Sequence, residues 1–359
     1  MTGAAYNSFL TSLGLLSFAY ICYSMTWDGP SDARDLATHC SKYVLDKDNF
    51  SDLALLASGN SHVVWTASLC CHKGKVAVKR WHGAAVSNRE RRLFAQRLIS
   101  DIDRWRNLIS VEPHPNILPV LGVALHLSNL PALVVPCYPT ANEVLQHDGQ
   151  VDVLPLLQDV AAGLSFLHSR PLPIAHGDIK GSTILISMSA EPTTRRGTKY
   201  TALLSDIGIA SIPQPPDWVF HGVDDARWLA PEIMDPSLRP PLASDRSRTQ
   251  TRYDDNILDP SGTLSVTPES DIYSFAMLGY ELYSRKRPFS ATTWSAAVVV
   301  NVVRGNRPAR PSEDALWTIP DQIWTLLECC WKQNWQERPR IDTVAAWLSV
   351  LSHTHKASL

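Results

Sequence analysis

Charge is scarce in this chain and nearly balanced. Acidic and basic residues make up 19% of its 359 positions and leave a net charge of −2. Such a chain lacks the basic surplus that nucleic acid or an anionic membrane surface would require. Metal-binding spacing is missing too. None of the seven cysteines forms a Cys-x-x-Cys, and no histidine pair stands at zinc spacing. The adjacent pairs Cys70-Cys71 and Cys329-Cys330 read most simply as reduced thiols of a cytosolic protein. No internal repeat is present. What the chain does have is apolar residues, 45% of the total, which exclude a disordered composition. Its length suits one two-lobed domain of about 250–300 residues with short extensions, or two ordinary domains.

No side-chain charge precedes Asp28, and Phe9 to Met25 is largely apolar. That run contains Thr11, Ser12, Ser17 and Ser24 and falls short of the ~20 apolar residues of a membrane span. It also lacks the basic start of a secretory signal. A short membrane anchor, a helix resting on the fold and a free tail all fit it. The expected location is cytoplasmic; the alternative is anchoring through residues 9–25 with the rest in the cytosol.

Alternation from about Ser51 predicts strands at Val63–Trp65 and Lys75–Lys79, parted by a turn at His72-Lys73-Gly74. Asn88 to Ile109 reads as a helix with a charged surface. Asn116–Leu121 and Ala132–Pro136 read as two further short strands. After Pro155 the period changes. Leu156 to His168 carries a helical apolar stripe, and Ile184–Ile186 and Leu203-Leu204 are short strands. Helices follow at Ile272–Ser284, Trp294–Val303, Asp321–Lys332 and Asp342–Leu351. Asp235 to Pro268, rich in Pro, Ser, Arg and Asp, reads as a surface insertion. The expected fold class is α+β, with a small β-rich first lobe (about 51–138) and a larger, mainly helical second lobe (about 139–352). Residues 1–50 are expected to be an extension, and 353–359 a tail.

Six segments carry candidate chemistry. Val76-Ala77-Val78-Lys79 puts a lysine at the inner end of an apolar strand, costly unless it meets an anion. His176-Gly177-Asp178-Ile179-Lys180-Gly181-Ser182-Thr183-Ile184-Leu185 lies between a helix and a strand. Then come Leu204-Ser205-Asp206-Ile207-Gly208, Ala226-Arg227-Trp228-Leu229-Ala230-Pro231-Glu232 and Ser270-Asp271-Ile272-Tyr273-Ser274-Phe275. The sixth is Cys330-Trp331 followed by Glu337-Arg338-Pro339. Any one could be chance; six in this order are not.

From about Leu53 to Leu351 the chain resembles a protein kinase, in its details a serine/threonine kinase of the tyrosine-kinase-like group in the form common in fungi. The resemblance implies ATP and Mg²⁺ as cofactors and a protein substrate, with no nucleic acid partner. It gives Lys79 the α/β-phosphates, Asp178 the substrate hydroxyl and Lys180 the moving γ-phosphate charge. Asp206 takes the metal, with Thr183 at the position of the second metal ligand. Val64, Ala77 and Leu185 would enclose the adenine. Trp105, His176, Ile207 and Asp271 would form the internal framework, and Glu232 and Arg338 a buried ion pair. Lys180, two residues after Asp178, resembles the serine/threonine type.

The departures from that pattern are specific. Ala57, Gly59 and His62 occupy the three positions of the glycine-rich phosphate loop, so only Gly59 keeps the freedom to let backbone approach phosphate. Asp101 stands where a glutamate would pair with Lys79, one methylene short. Ile207 replaces a phenylalanine. Gly177 replaces an arginine that reads an activation-loop phosphate, and Ser211 is the only hydroxyl side chain between Ile209 and Trp228, so loop phosphorylation is not expected to be the switch. Lys79, Asp178, Lys180 and Asp206 support an enzyme. Ala57, His62, Asp101 and Thr183 support the alternative, a pseudokinase that scaffolds or regulates a signalling partner.

Overall fold

The computed structural model describes residues 43–59, 62–81, 88–127, 130–190, 198–209, 225–239, 266–312 and 314–357. The apolar segment 9–25 and most of the expected insertion 235–268 lie outside the described residues. The chain divides into two compact units. One takes residues up to Ile99 together with Leu121–Val135, and the other takes Ser100–Val120 and everything from Pro136 onward.

The first unit is a five-stranded sheet of β1 (Phe50–Ser58), β2 (His62–Leu69), β3 (Lys75–Trp81), β4 (Gly122–Ala124) and β5 (Ala132–Pro136). Their order is β1-β2-β3-β5-β4. β1, β2 and β3 form an antiparallel meander. One face is closed by a core of Ala67, Leu69, Val76, Val78, Ala124, Ala132 and Val134. Helix α1 (Asn88–Val111) begins in this unit and ends in the second. The expected extension 1–50 is too long at its C-terminal end. Val44 bridges to Val123, and the Leu45 amide donates to the Val123 carbonyl at 2.9 Å, so residues 43–45 complete the β4 edge. Gly122 permits the approach, since a Cβ there would lie 2.6 Å from the Tyr43 carbonyl.

The expected strand 116–121 is also corrected; the strand is β4, farther along. Pro115 and Pro119 have no N–H for a ladder, and Asn116 turns instead to the second unit's hairpin. Its Nδ2 donates to the Ala202 carbonyl at 3.0 Å, and its own carbonyl accepts from Leu204 N–H at 2.9 Å.

That hairpin, β6 (Ile184–Ala190) with β7 (Thr198–Leu204), sits among helices in the second unit. These are α2 (Ala141–His147), α3 (Val153–His168), α4 (Pro231–Met234), α5 (Pro268–Ser284), α6 (Ser295–Val303), α7 (Asp321–Cys330) and α8 (Ile341–Ala357). α3 packs on β7 and α8, and α5 packs on α7. α5 is buried on nearly every side, the pattern of a helix inside a domain rather than on its surface. Thr267 caps its N-terminus by accepting from Ser270 N–H. Asp235 closes α4 and caps the short turn Pro236–Leu238. Both ends of the expected insertion are therefore part of the fold.

Candidate active site

In the first unit, β-register sets the candidates on one face. Val64 lies opposite Lys79 and next to Ala57 on its other side, and Thr66 lies opposite Ala77. Cross-strand partners share a face, and so do residues two apart. Val64, Ala77 and Lys79 thus stand together, while Val76 and Val78 between them point into the core. The Lys79 ammonium lies 5.9 Å from the Trp81 ring centroid, within cation–π range. In the β1–β2 turn the Gly59 amide donates to the His62 carbonyl at 2.9 Å. Asp101 is half-buried on the part of α1 that belongs to the second unit.

The second unit holds the rest. The loop between α3 and β6 is fixed from below by α5. The Asp271 carboxylate accepts from His176 N–H at 2.7 Å and from Gly177 N–H at 2.9 Å, and it meets His168 Nε2 at 2.9 Å. His176 is fully buried, which depresses its pKa, and its Nδ1 accepts from Asp178 N–H at 3.2 Å. With the two preceding residues pinned and its own amide bonded to His176, the half-buried Asp178 side chain is presented from a fixed base.

Lys180 lies beside it. Its ammonium is 2.7 Å from Asp178 Oδ1 and 2.9 Å from Asp225 Oδ1. Burial alone would lower its pKa; the two carboxylates outweigh that and hold it above the usual lysine range. The Thr183 hydroxyl is turned into the loop, where it bonds the Asp178 carbonyl and lies 3.1 Å from the Lys180 carbonyl. Asp206 follows β7, held at φ 61°, with Gly208 at φ 75°. Three bonds tie this turn to the loop: Ser205 donates to the Thr183 carbonyl through Oγ at 2.7 Å and through N–H at 3.3 Å, and Gly208 N–H donates to the His176 carbonyl at 3.1 Å. Hairpin β6–β7 thus brings Asp178, Lys180, Thr183 and Asp206 to one end, with Ile207 buried beneath. Leu185 is half-buried at the start of β6.

Glu281 was not singled out from sequence, yet it is a hub. It accepts from Gly181 N–H at 2.9 Å, Asn142 Nδ2 at 2.9 Å and Trp228 Nε1 at 2.8 Å, and burial raises its pKa. Nothing in the local pattern marks it, because every partner is distant in sequence. Glu232 and Arg338 form a bidentate pair at 2.6 and 2.7 Å, almost wholly buried. A cavity of about 320 Å³ lined by His114, Pro115, Tyr138 and Thr201 contains none of these residues.

Gly177 has a physical reason to be glycine. Its φ is +83°, and a Cβ would sit 3.0 Å from Val266 Cγ2. Val266 covers the ground into which a longer side chain would extend. Gly177→Ala should lower the unfolding free energy by about 1–3 kcal/mol through left-handed strain and contact. Adding Val266→Ala should recover only the steric part. Denaturant titration of the single and double variants checks this.

A sheet-built unit followed by a helical one, with two aspartate turns tied at the base of a hairpin, defines an α+β protein. Residues 50–348 match the family model described as protein kinase domain. The chain belongs to that family, which bears out the resemblance to a protein kinase of tyrosine-kinase-like type and implies use of ATP and a divalent metal. It is 26% identical over 302 residues to receptor-interacting serine/threonine-protein kinase 2 of Bos taurus, covering 80% of this chain and 49% of that protein. It is 23% identical over 288 residues to mitogen-activated protein kinase kinase kinase 7 of Drosophila melanogaster (76% and 34%). With the probable serine/threonine-protein kinase roco7 of Dictyostelium discoideum it shares 27% over 206 residues (56% and 6%). The chain spans at most about half the length of these relatives. Among the described residues no helix is long and apolar enough to cross a membrane.

Proposed function

We propose that this chain transfers the γ-phosphate of ATP to serine or threonine hydroxyls of protein substrates. The observation that carries the reading is the tied loop pair: Asp178 and Lys180 in ion-pair contact, with Asp206 joined to them through Ser205 and Gly208. Asp178 accepts the acceptor's proton as its oxygen bonds to the γ-phosphorus. The bond from phosphorus to the bridging oxygen breaks, and ADP leaves with that electron pair. Lys180 offsets charge on the moving phosphoryl group. Lys79, beside Val64 and Ala77, is the phosphate-binding lysine.

Mg²⁺ suits the donor set, because it binds through one or two carboxylates and fills its remaining positions with water and phosphate oxygens. Asp206 would hold it; when bound it neutralises phosphate charge. Among the described residues there is no cluster of three or more His, Cys, Asp or Glu side chains, so a metal here would rely on the nucleotide. One observation favours the pseudokinase alternative. The Thr183 hydroxyl is turned to the loop carbonyls of Asp178 and Lys180, and its oxygen also accepts from Lys180 N–H at 3.3 Å, so it is engaged within the loop and leaves Asp206 as the main metal ligand.

The test is transfer from γ-labelled ATP to a generic acceptor protein with Mg²⁺, followed by phosphoamino-acid analysis. Phosphoserine or phosphothreonine from the wild type, with at least a tenfold loss in Lys79→Met and in Asp206→Asn, is expected. Equal background from all three would leave only the scaffold reading.

A further inference from the structure

We propose that Asp225 is a positioning residue that holds Lys180 for phosphoryl transfer. The proposal rests on the kinase reading of the site. Lys180 does not pair with Asp178 alone: its ammonium bridges Asp178 Oδ1 at 2.7 Å and Asp225 Oδ1 at 2.9 Å, and its side chain is only 15% exposed. An ammonium has three hydrogens. Two are directed at the carboxylates, and the third is left for a phosphoryl oxygen.

The sharing fixes Nζ by two anchors instead of letting it swing about one.

Asp225 is set in place by a rigid frame. Its carbonyl accepts from Trp228 N–H at 3.0 Å. The neighbouring Arg227 is buried and donates to three carbonyls: Pro288 at 3.0 Å, Phe289 at 2.8 Å and Thr292 at 3.0 Å. Trp228 is held by Glu281 through its indole and by Ser274, whose Oγ donates to the Trp228 carbonyl at 2.7 Å. The two Nη groups of Arg227 and the indole and carbonyl of Trp228 are spent on this frame, whereas the Asp225 carboxylate is turned to Lys180. A half-exposed ion pair adds little stability by itself. Its value here is geometric.

The experiment compares the full chain with Asp225→Ala, Asp225→Asn and Asp225→Glu. The first readout needs no activity: acylation of Lys180 by a small amine-reactive reagent, followed by mass spectrometry. Losing one carboxylate lowers the lysine pKa and frees the amine, so Lys180 should react about tenfold faster in Asp225→Ala, less so in Asp225→Asn, and stay protected in Asp225→Glu. The second readout is kinetic. Asp225→Ala should lower kcat about 10- to 100-fold while KM for ATP stays within about threefold, and Asp225→Glu should restore part of kcat. Unchanged Lys180 reactivity in both neutral variants overturns the proposal. So does an unchanged or raised kcat, or a loss confined to KM. If the wild type transfers no phosphate, the kinase reading fails, and the acylation result alone decides whether Asp225 holds Lys180.

Discussion

Arg338→Ala should lower the unfolding free energy by about 3–5 kcal/mol, the usual cost of stranding one partner of a buried ion pair. The guanidinium meets both oxygens of Glu232 at 2.6 and 2.7 Å, and the two side chains are 0% and 1% exposed. Nε donates to the Lys332 carbonyl at 2.9 Å, and Nη1 donates also to the Glu269 carbonyl at 2.9 Å. The group lies 5.2 Å from the Tyr273 ring centroid, so its removal opens a space as well as a charge. The melting temperature should fall by roughly 10 °C. Arg338→Lys should lose a good part of this, because one ammonium cannot reproduce the two-pronged match. Replacing both partners with apolar residues of similar size should cost far less than either single change. A loss under about 1 kcal/mol for Arg338→Ala, read by denaturant titration, would contradict the buried-pair account.

Asp178→Asn should reduce kcat by about 10²- to 10⁴-fold, the range that general-base groups contribute. The substitution isolates chemistry from folding. The loop is held through backbone amides, His176 and Gly177 to Asp271 at 2.7 and 2.9 Å, and the Asp178 amide to His176 Nδ1 at 3.2 Å. None of these bonds involves the Asp178 carboxylate. The melting temperature should therefore move by only a degree or two, and nucleotide affinity should hold. Identical phosphate transfer by wild type and variant would mean that the signal does not come from this site.

The sequence disclosed those parts of the site that are carried by contiguous residues. Val76 to Lys79 is an apolar run closed by a lysine, so the strand and its half-buried lysine were legible. The order of Asp178, Lys180 and Asp206 around two short strands was legible too. What stayed hidden depends on partners far along the chain. Glu281 looks like one more residue of an apolar helix until Gly181, Asn142 and Trp228 converge on it. Asp225 looks like a loop acid until Lys180 arrives beside it. Arg227 lay inside a quoted motif, yet its three carbonyl partners at 288–292 have no local signature. The misplaced strand at 116–121 shows the converse. Apolar residues do run together there, but Pro115, Pro119 and the Asn116 side chain direct the segment to β7 instead.

The clamp on the loop between α3 and β6 has a consequence for how the protein comes into being. The carboxylate that fixes His176 and Gly177 belongs to Asp271, 95 and 94 residues later in the chain. Glu281, which holds Gly181, is 100 residues later. During synthesis the loop therefore leaves the ribosome long before the groups that give it its shape. A growing chain that has reached α3 and the hairpin has the candidate residues of the site in hand but nothing to set their backbone. Competence arrives in one step, when α5 emerges and is enclosed, so a half-made molecule carries the residues of the site without its geometry.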